Sequence, residues 1–163
     1  MATSDYRFIQ VTSADLPLLR NWLSDSEVRR WWGDPDEEIA LIAGDLENSS
    51  IALNIVWFGA KPFAYIQDYD VHASPEKHRH HLPEGTRSID VFVGEADMRG
   101  KGHGPKFLRL RAMDLKQSGA PVVVIDPLVA NLNARNAYKK AGFIGDDAID
   151  SDDGPIVVMT FIG

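Results

Sequence analysis

Along the chain, stretches of alternating hydrophobic and polar residues give way to helical spacing and back again, and these switches outline the elements. Tyr6-Arg7-Phe8-Ile9-Gln10-Val11 alternates as a half-buried strand does. Thr12 or Ser13 then offers an N-cap with Asp15 in the first turn, and Leu16, Leu19, Trp22 and Leu23 recur at helical spacing. A second short helix is predicted around Glu27 to Trp32. A third begins at Asp34-Pro35-Asp36-Glu37, where a capping aspartate, an N1 proline and first-turn acids coincide, and reaches about Leu46. Ile51 to Phe58 and Phe63 to Tyr69 read as the arms of a hairpin around Gly59-Ala60-Lys61-Pro62. The polar segment from Asp70 to Thr86, twice interrupted by proline, is a long loop.

Arg87 to Gly94 reads as a strand that carries Asp90 among Ile89, Val91, Phe92 and Val93. A glycine-rich stretch follows, then a helix from about Gly104 to Gln117, stopped by Ser118-Gly119-Ala120-Pro121. Val122 to Ile125 is a continuous apolar run, the pattern of a strand covered on both faces, and it ends at Asp126-Pro127. Asn131 to Ala141 is helical with Gly142 as its C-cap, Phe143-Ile144 starts a strand, and Pro155 to Ile162 is a last one. The acidic run Asp146 to Asp153 between them reads as a solvated turn that could also attract a cation.

The 163 residues fall in the single-domain range, and 44% hydrophobic with 25% charged residues is an ordinary globular composition. With no repeat, low-complexity tract or linker, one domain spanning 1–163 is expected. No basic-then-apolar leader precedes Asp5 and no apolar run nears the roughly 18 residues of a membrane span, so a cytoplasmic protein without a membrane partner is expected. The absence of cysteine excludes disulfides, thiolate metal sites and a cysteine nucleophile. His78, His80 and His81 lack the spacing of a structural zinc site and sit among Lys77 and Arg79, so no metal is expected. The adjacent Trp31 and Trp32 either pack the helical layer on the core or wall a ligand site.

The chain's charge is −7, yet between Arg99 and Lys116 six basic residues meet a single acid, Asp114. Arg99-Gly100-Lys101-Gly102-His103-Gly104 opens this basic stretch, and a glycine-rich entry lets an anion approach the unpaired N–H groups of a helix start. One local positive segment in an acidic chain points to a small anionic ligand, here a pyrophosphate, rather than to a nucleic acid. The competing reading is a glycine turn before a surface helix.

Arg99-x-x-Gly102-x-Gly104 resembles the acetyl-coenzyme A signature of the GNAT superfamily of N-acetyltransferases. Asn131-x-x-Ala134-x-x-x-Tyr138-x-Lys140-x-Gly142-Phe143 resembles that superfamily's second signature, at the right distance downstream. Within the superfamily the chain is most similar to the aminoglycoside 6'-N-acetyltransferases, through Trp31-Trp32-Gly33, Ala64 to Tyr69, Arg87-Ser88-Ile89-Asp90, Ile125-Asp126-Pro127 and Lys139 to Phe143. Where those enzymes have tryptophans and a run of acids before the arginine, this chain has His78, His80 and His81.

The resemblance implies an α+β, three-layer GNAT fold: a mixed, mostly antiparallel sheet of about seven strands, splayed between the fourth and fifth and flanked by about four helices. It implies acetyl-coenzyme A as co-substrate, held by Phe92 and Val93 on the fourth strand, by Arg99, Gly100, Lys101, Gly102, His103 and Gly104, and by Asn131 and Ala134. Asp90 and Asp126 would orient or deprotonate the amine, and Tyr138 would act as general acid toward the thiolate. Trp31, Trp32, Gln67 and Tyr69, with the two aspartates, would bind the acceptor. The implied reaction is direct attack, in a ternary complex, by a small polycationic amine such as the 6'-amine of an aminoglycoside. Other acceptors, such as a siderophore precursor or a polyamine, and a non-catalytic acetyl-coenzyme A-binding module, are the alternatives. A monomer or homodimer with no nucleic-acid partner is expected.

Overall fold

A computed structural model describes residues 5–163; the few residues before Asp5, on which the reading of no leader rests, lie outside it. The chain forms two compact units that interleave in sequence, the residues through Gln67 with Val91–Lys101, and Asp68–Asp90 with Gly102–Gly163. In the first unit, β1 (Tyr6–Gln10) pairs antiparallel with β2 (Ile51–Phe58), Tyr6 opposite Phe58 and Gln10 opposite Asn54. Between them lie α1 (Leu16–Leu23), α2 (Ser26–Trp32) and α3 (Pro35–Asp45). The helical run breaks where Asp25 turns extended and caps α2, its carboxylate accepting from the Glu27 and Val28 amides. Asp34 caps α3 the same way through Glu37, with Pro35 at N1. Leu19, Trp22 and Leu23 of α1, Val28 of α2 and Ile42 of α3 bury together with Leu53, Ile55, Tyr65 and Phe92 in one core. Gly94 belongs to that packing: a Cβ there would overlap the Trp22 ring.

β2 turns at Gly59, φ +58°, into β3 (Lys61–Asp70). The turn is two residues shorter than its composition predicts, because Lys61 and Pro62 already lie in the strand. β4 covers Arg87–Val93. Seven strands form one mixed sheet in the order β1-β2-β3-β4-β5-β9-β6, where β5 is Val123–Ile125, β6 Phe143–Ile144 and β9 Met159–Phe161.

In the second unit, β4 and β5 run parallel through Arg87↔Val123 and Ser88↔Val124. β5 ends at Ile125 while β4 continues to Val93, so the expected splay between fourth and fifth strands takes the form of a ladder that stops early. β9 pairs antiparallel with both β5 and β6. α4 (His103–Gln117) packs on β5 and on α5 (Leu132–Ala141), burying Phe107, Leu108, Ala112 and Leu115. The predicted last strand is broken at Val158. Its first part, β8 (Ile156–Val157), leaves the main sheet to pair with β7 (Ala148–Ile149) inside the acidic tip. Gly145 makes the break possible, since a Cβ at its φ of +152° would strike the Val158 carbonyl. No described helix is long and apolar enough to cross a membrane.

Candidate active site

The glycine stretch becomes an open helix entry. Gly102, at φ +82°, is the N-cap of α4 and, as glycine, brings no side chain to cap the first turn. A left-handed N-cap is accessible to glycine at little cost, and Cβ atoms built at Gly100, Gly102 or Gly104 meet nothing within 4 Å. The backbone amides of Gly102, His103 and Gly104 therefore start a helix on an uncrowded surface, with Lys101 exposed beside them; this is the arrangement an incoming phosphate needs. Pro105 in the first turn removes an N–H at no cost to the helix.

Arg99 does something the pattern did not foresee. Its guanidinium donates to the Val93 carbonyl at 3.0 Å and the Gly94 carbonyl at 3.3 Å, and pairs with Asp25 at 3.1 Å. Burial works against the Asp25 charge, but the Glu27 amide and Arg99 prevail and hold its pKa below the usual range. Arg99 thus ties the end of β4 and the start of α2 to the mouth of the glycine stretch. Asn131 caps α5, its side-chain oxygen accepting from the Ala134 amide at 3.2 Å. That bond leaves the Asn131 amide group as a donor.

The acids come together in the second unit. Extending the β4–β5 register past Ser88↔Val124 sets Asp90 level with Asp126, one on the strand and one just beyond it. Both carboxylates act on Tyr138: burial first, then Asp90, then Asp126 push its pKa up. Tyr138 consequently stays a protonated phenol throughout the physiological range. Tyr69, at the end of β3, is also pushed up, by burial and then by Asp90. Asp90, Asp126, Tyr69 and Tyr138 therefore share one electrostatic neighbourhood.

Asp126 has company that sequence spacing concealed. His78 Nε2 and Arg79 Nη1 each lie 3.2 Å from its Oδ2. The Arg79 side chain is fully buried; it also donates to Ser88 at 2.5 Å and Glu76 at 2.9 Å, and its guanidinium carbon lies 5.3 Å from the Tyr69 ring centroid. Its Nε has no hydrogen-bond partner among the described residues. Burial raises the Asp126 pKa, with Arg79 and His78 pulling the other way. Glu76, His78 and Asp126 each bring a ligand atom within 4.8 Å of the others, a grouping the histidine spacing alone does not announce. The Arg79 guanidinium, bonded to both carboxylates, already supplies the cation there. In sequence His78 stood out only as one of three histidines that depart from the family pattern and Arg79 only as a cation among them, and no periodicity marks a buried arginine between two prolines.

The adjacent tryptophans part. Trp32 turns into the core, edge-on to Phe92 at 5.0 Å and to Tyr65 at 6.1 Å. Trp31 stays near the surface, its indole N–H 3.3 Å from Glu27 and its ring beneath Arg30. Phe92 is a core residue stacked on Tyr65, so its side chain is spent on packing. The Tyr65 hydroxyl donates to Gln67 at 2.7 Å.

This geometry has a known setting. The acetyltransferase (GNAT) domain family matches residues 11–151, and the chain belongs to that family. Aminoglycoside N(6')-acetyltransferase type 1 of Klebsiella pneumoniae is 29% identical over 158 residues, covering 91% of this chain and 79% of that protein. A structure of AAC(6')-Ib in complex with parmomycin and acetyl-CoA superposes with a TM-score of 0.86 at 27% identity, over 97% of this chain and 93% of the other. The aminoglycoside acetyltransferase AAC(6')-Ib in complex with coenzyme A and kanamycin gives 0.85 at 28%, over 95% and 93%. The chain is thus an acetyltransferase of the GNAT family, and acetyl-CoA is the ligand bound in the first of those structures.

Proposed function

We propose that this protein acetylates an amine of a small cationic acceptor, with the 6'-amine of an aminoglycoside as the best-supported target, in the cytoplasm. The observation that carries the reading is the meeting of two carboxylates and one protonated phenol: Asp90 within β4, Asp126 just past β5, and Tyr138 on the helix of the second signature. Relatives at 27–29% identity that are named for aminoglycosides, or bound to them, support the acceptor class. The whole chain, 1–163, then serves as one acetyltransferase domain.

Acetyl-coenzyme A supplies the activated acyl group. The glycine-rich start of α4 at Gly102 and Gly104, with Lys101, holds its phosphates, and Asn131 offers its amide to the arm. A carboxylate at Asp90 draws the ammonium in and, directly or through water, takes the proton that makes the amine nucleophilic. Tyr138 keeps a proton at its hydroxyl for the departing thiolate, which its raised pKa ensures is present. With no cysteine in the chain, attack is direct and bound geometry lowers the barrier.

A thiol-release assay with acetyl-coenzyme A, run against aminoglycosides, polyamines and lysine derivatives, tests the reading. Turnover of amino sugars bearing a 6'-amine, lost in Asp90→Asn, is the expected result. Turnover confined to a different amine overturns the acceptor assignment. A second acceptor class, a less highly charged amine such as a hydroxylysine-type siderophore precursor, is favoured by one observation: a buried guanidinium, that of Arg79, already sits 3.2 Å from Asp126.

A further inference from the structure

Glu76, His78, Arg79 and Asp126 form a cluster whose charges do not balance. Arg79 bonds both acids, Nη2 to Glu76 Oε2 at 2.9 Å and Nη1 to Asp126 Oδ2 at 3.2 Å, so one negative charge is left over. Glu76 Oε1 and Asp126 Oδ1 have no hydrogen-bond partner among the described residues. His78 lies between the two acids, its Nε2 3.2 Å from Asp126 Oδ2 and its Nδ1 4.0 Å from Glu76 Oε2. An ionised carboxylate only accepts, so Nε2 carries the hydrogen toward Asp126 and Nδ1, on the Glu76 side, is the atom left to take a second proton. We infer that His78 is a specificity-determining residue: with its ring neutral the cluster takes a cationic group of the acceptor, and with its ring charged the cluster opposes one.

The reason is competition for a single missing charge. A proton on His78 Nδ1 brings the sum of the cluster to zero, and so does an ammonium at the two spare oxygens. Both together leave one positive charge in excess where His78 and Asp126 are only 21% and 13% exposed, and like charges at that range repel. Proton and ammonium therefore weaken each other's binding by the same factor. An imidazole ordinarily gains its charge between about pH 8 and about pH 5, where an alkylamine stays an ammonium. The other titratable groups around Asp126 are Tyr69, Asp90 and Tyr138; both phenols are held protonated by burial and then by Asp90, and none of the three pairs with the His78 ring. Asp126 itself, whose pKa burial raises, weakens cation binding in the same direction when it protonates. This inference rests on the acetyltransferase reading above and adds control of its acceptor side.

The test uses an alkylguanidine, which is charged at every pH employed and donates N–H groups as an ammonium does. Its Kd is measured by calorimetry with coenzyme A bound, from about pH 8 to about pH 5.5, for the unaltered protein, His78→Gln and His78→Lys; acceptor KM is followed alongside. In the unaltered protein Kd weakens about tenfold toward the acid end. His78→Gln keeps an N–H for Asp126 without a titrating charge, and it removes most of that change while leaving the part due to Asp126. His78→Lys is weak across the whole range. A merely structural histidine would shift Kd equally at every pH, so a full tenfold dependence retained in His78→Gln overturns the inference.

A measurement on the unaltered protein decides even if the variants fail to fold. Binding enthalpies in buffers of different ionisation enthalpy report protons released, and the probe is expected to displace a substantial fraction of one proton in the middle of the range. No release, or no binding of the probe at any pH, overturns the inference. If no amine is acetylated, the proposed function fails by itself, and the Kd values and proton counts of the probe still decide the role of His78.

Discussion

Two carboxylates of the second unit, Asp68 and Asp126, each face two basic side chains, and they use their oxygens differently. Asp68 is 1% exposed and spends both oxygens: Arg87 grips Oδ1 through Nε at 3.1 Å and Nη2 at 2.7 Å, Arg111 grips Oδ2 through Nε at 3.0 Å and Nη2 at 2.7 Å. Two paired forks close every strong acceptor direction, which joins the end of β3 to β4 and α4 and leaves nothing for a ligand. Asp126 receives His78 and Arg79 on one oxygen and keeps the other. A saturated ion cluster holds elements together; one with an oxygen left over can also meet a ligand.

Breaking the saturated cluster has the largest effect on folding. Asp68→Asn strands two partly buried guanidiniums, and the expected loss is about 3 kcal/mol or more of stability, read as a shift of the urea midpoint. Breaking the chemical side costs activity instead. Asp90→Asn is expected to lower kcat/KM by about 10²–10³-fold while its urea midpoint stays close to that of the unaltered protein. Tyr138→Phe is expected to lower kcat by about 10²-fold, with KM for acetyl-coenzyme A unchanged.

Asp126→Asn falls between the two classes. Arg79 keeps Glu76 and Ser88, so the stability loss is expected to stay near 1 kcal/mol, while acceptor KM rises about tenfold. The smallest effect is on pH dependence. Burial raises the Asp126 pKa, so the folded chain retains a proton there that the unfolded chain has released. The contribution of this group to stability is therefore fullest below the ordinary aspartate pKa and declines as pH climbs through the raised folded value. Unfolding free energies measured from pH 3 upward are expected to lose that decline in Asp126→Asn. An identical profile in the two proteins would mean that Asp126 titrates as an ordinary surface acid.

Local chemistry was the most legible part. Ile51–Phe58 is one strand, as its apolar β-rich run predicts, and Asp34-Pro35, Asn131 and Gly142 begin and end their helices as capping rules require. The donor half of the candidate site was legible for the same reason, since a glycine turn entering a helix is a contiguous stretch. The break of the last strand at Val158 was not, because it depends on a carbonyl packed against Gly145, thirteen positions earlier. Nor does adjacency tell Trp31 from Trp32; a helix sends neighbouring positions about 100° apart, and only the packing of α2 decides which one meets Phe92.

By itself, then, the sequence determined the order of the main elements, the caps, the glycine entry to α4, the absence of a thiol nucleophile, and the place of one aspartate inside a strand and another just past the end of the next. Tertiary structure alone decided that Arg99 grips β4 carbonyls and Asp25, that the loop after β3 returns to place Arg79 and His78 on one oxygen of Asp126, and that Asp68 is closed while Asp126 is not. Hydrogen bonds within a turn or helix end are set by residues a few positions apart. The partners of a buried charge are chosen among side chains brought together from distant parts of the chain, and that choice exists only once the chain has folded.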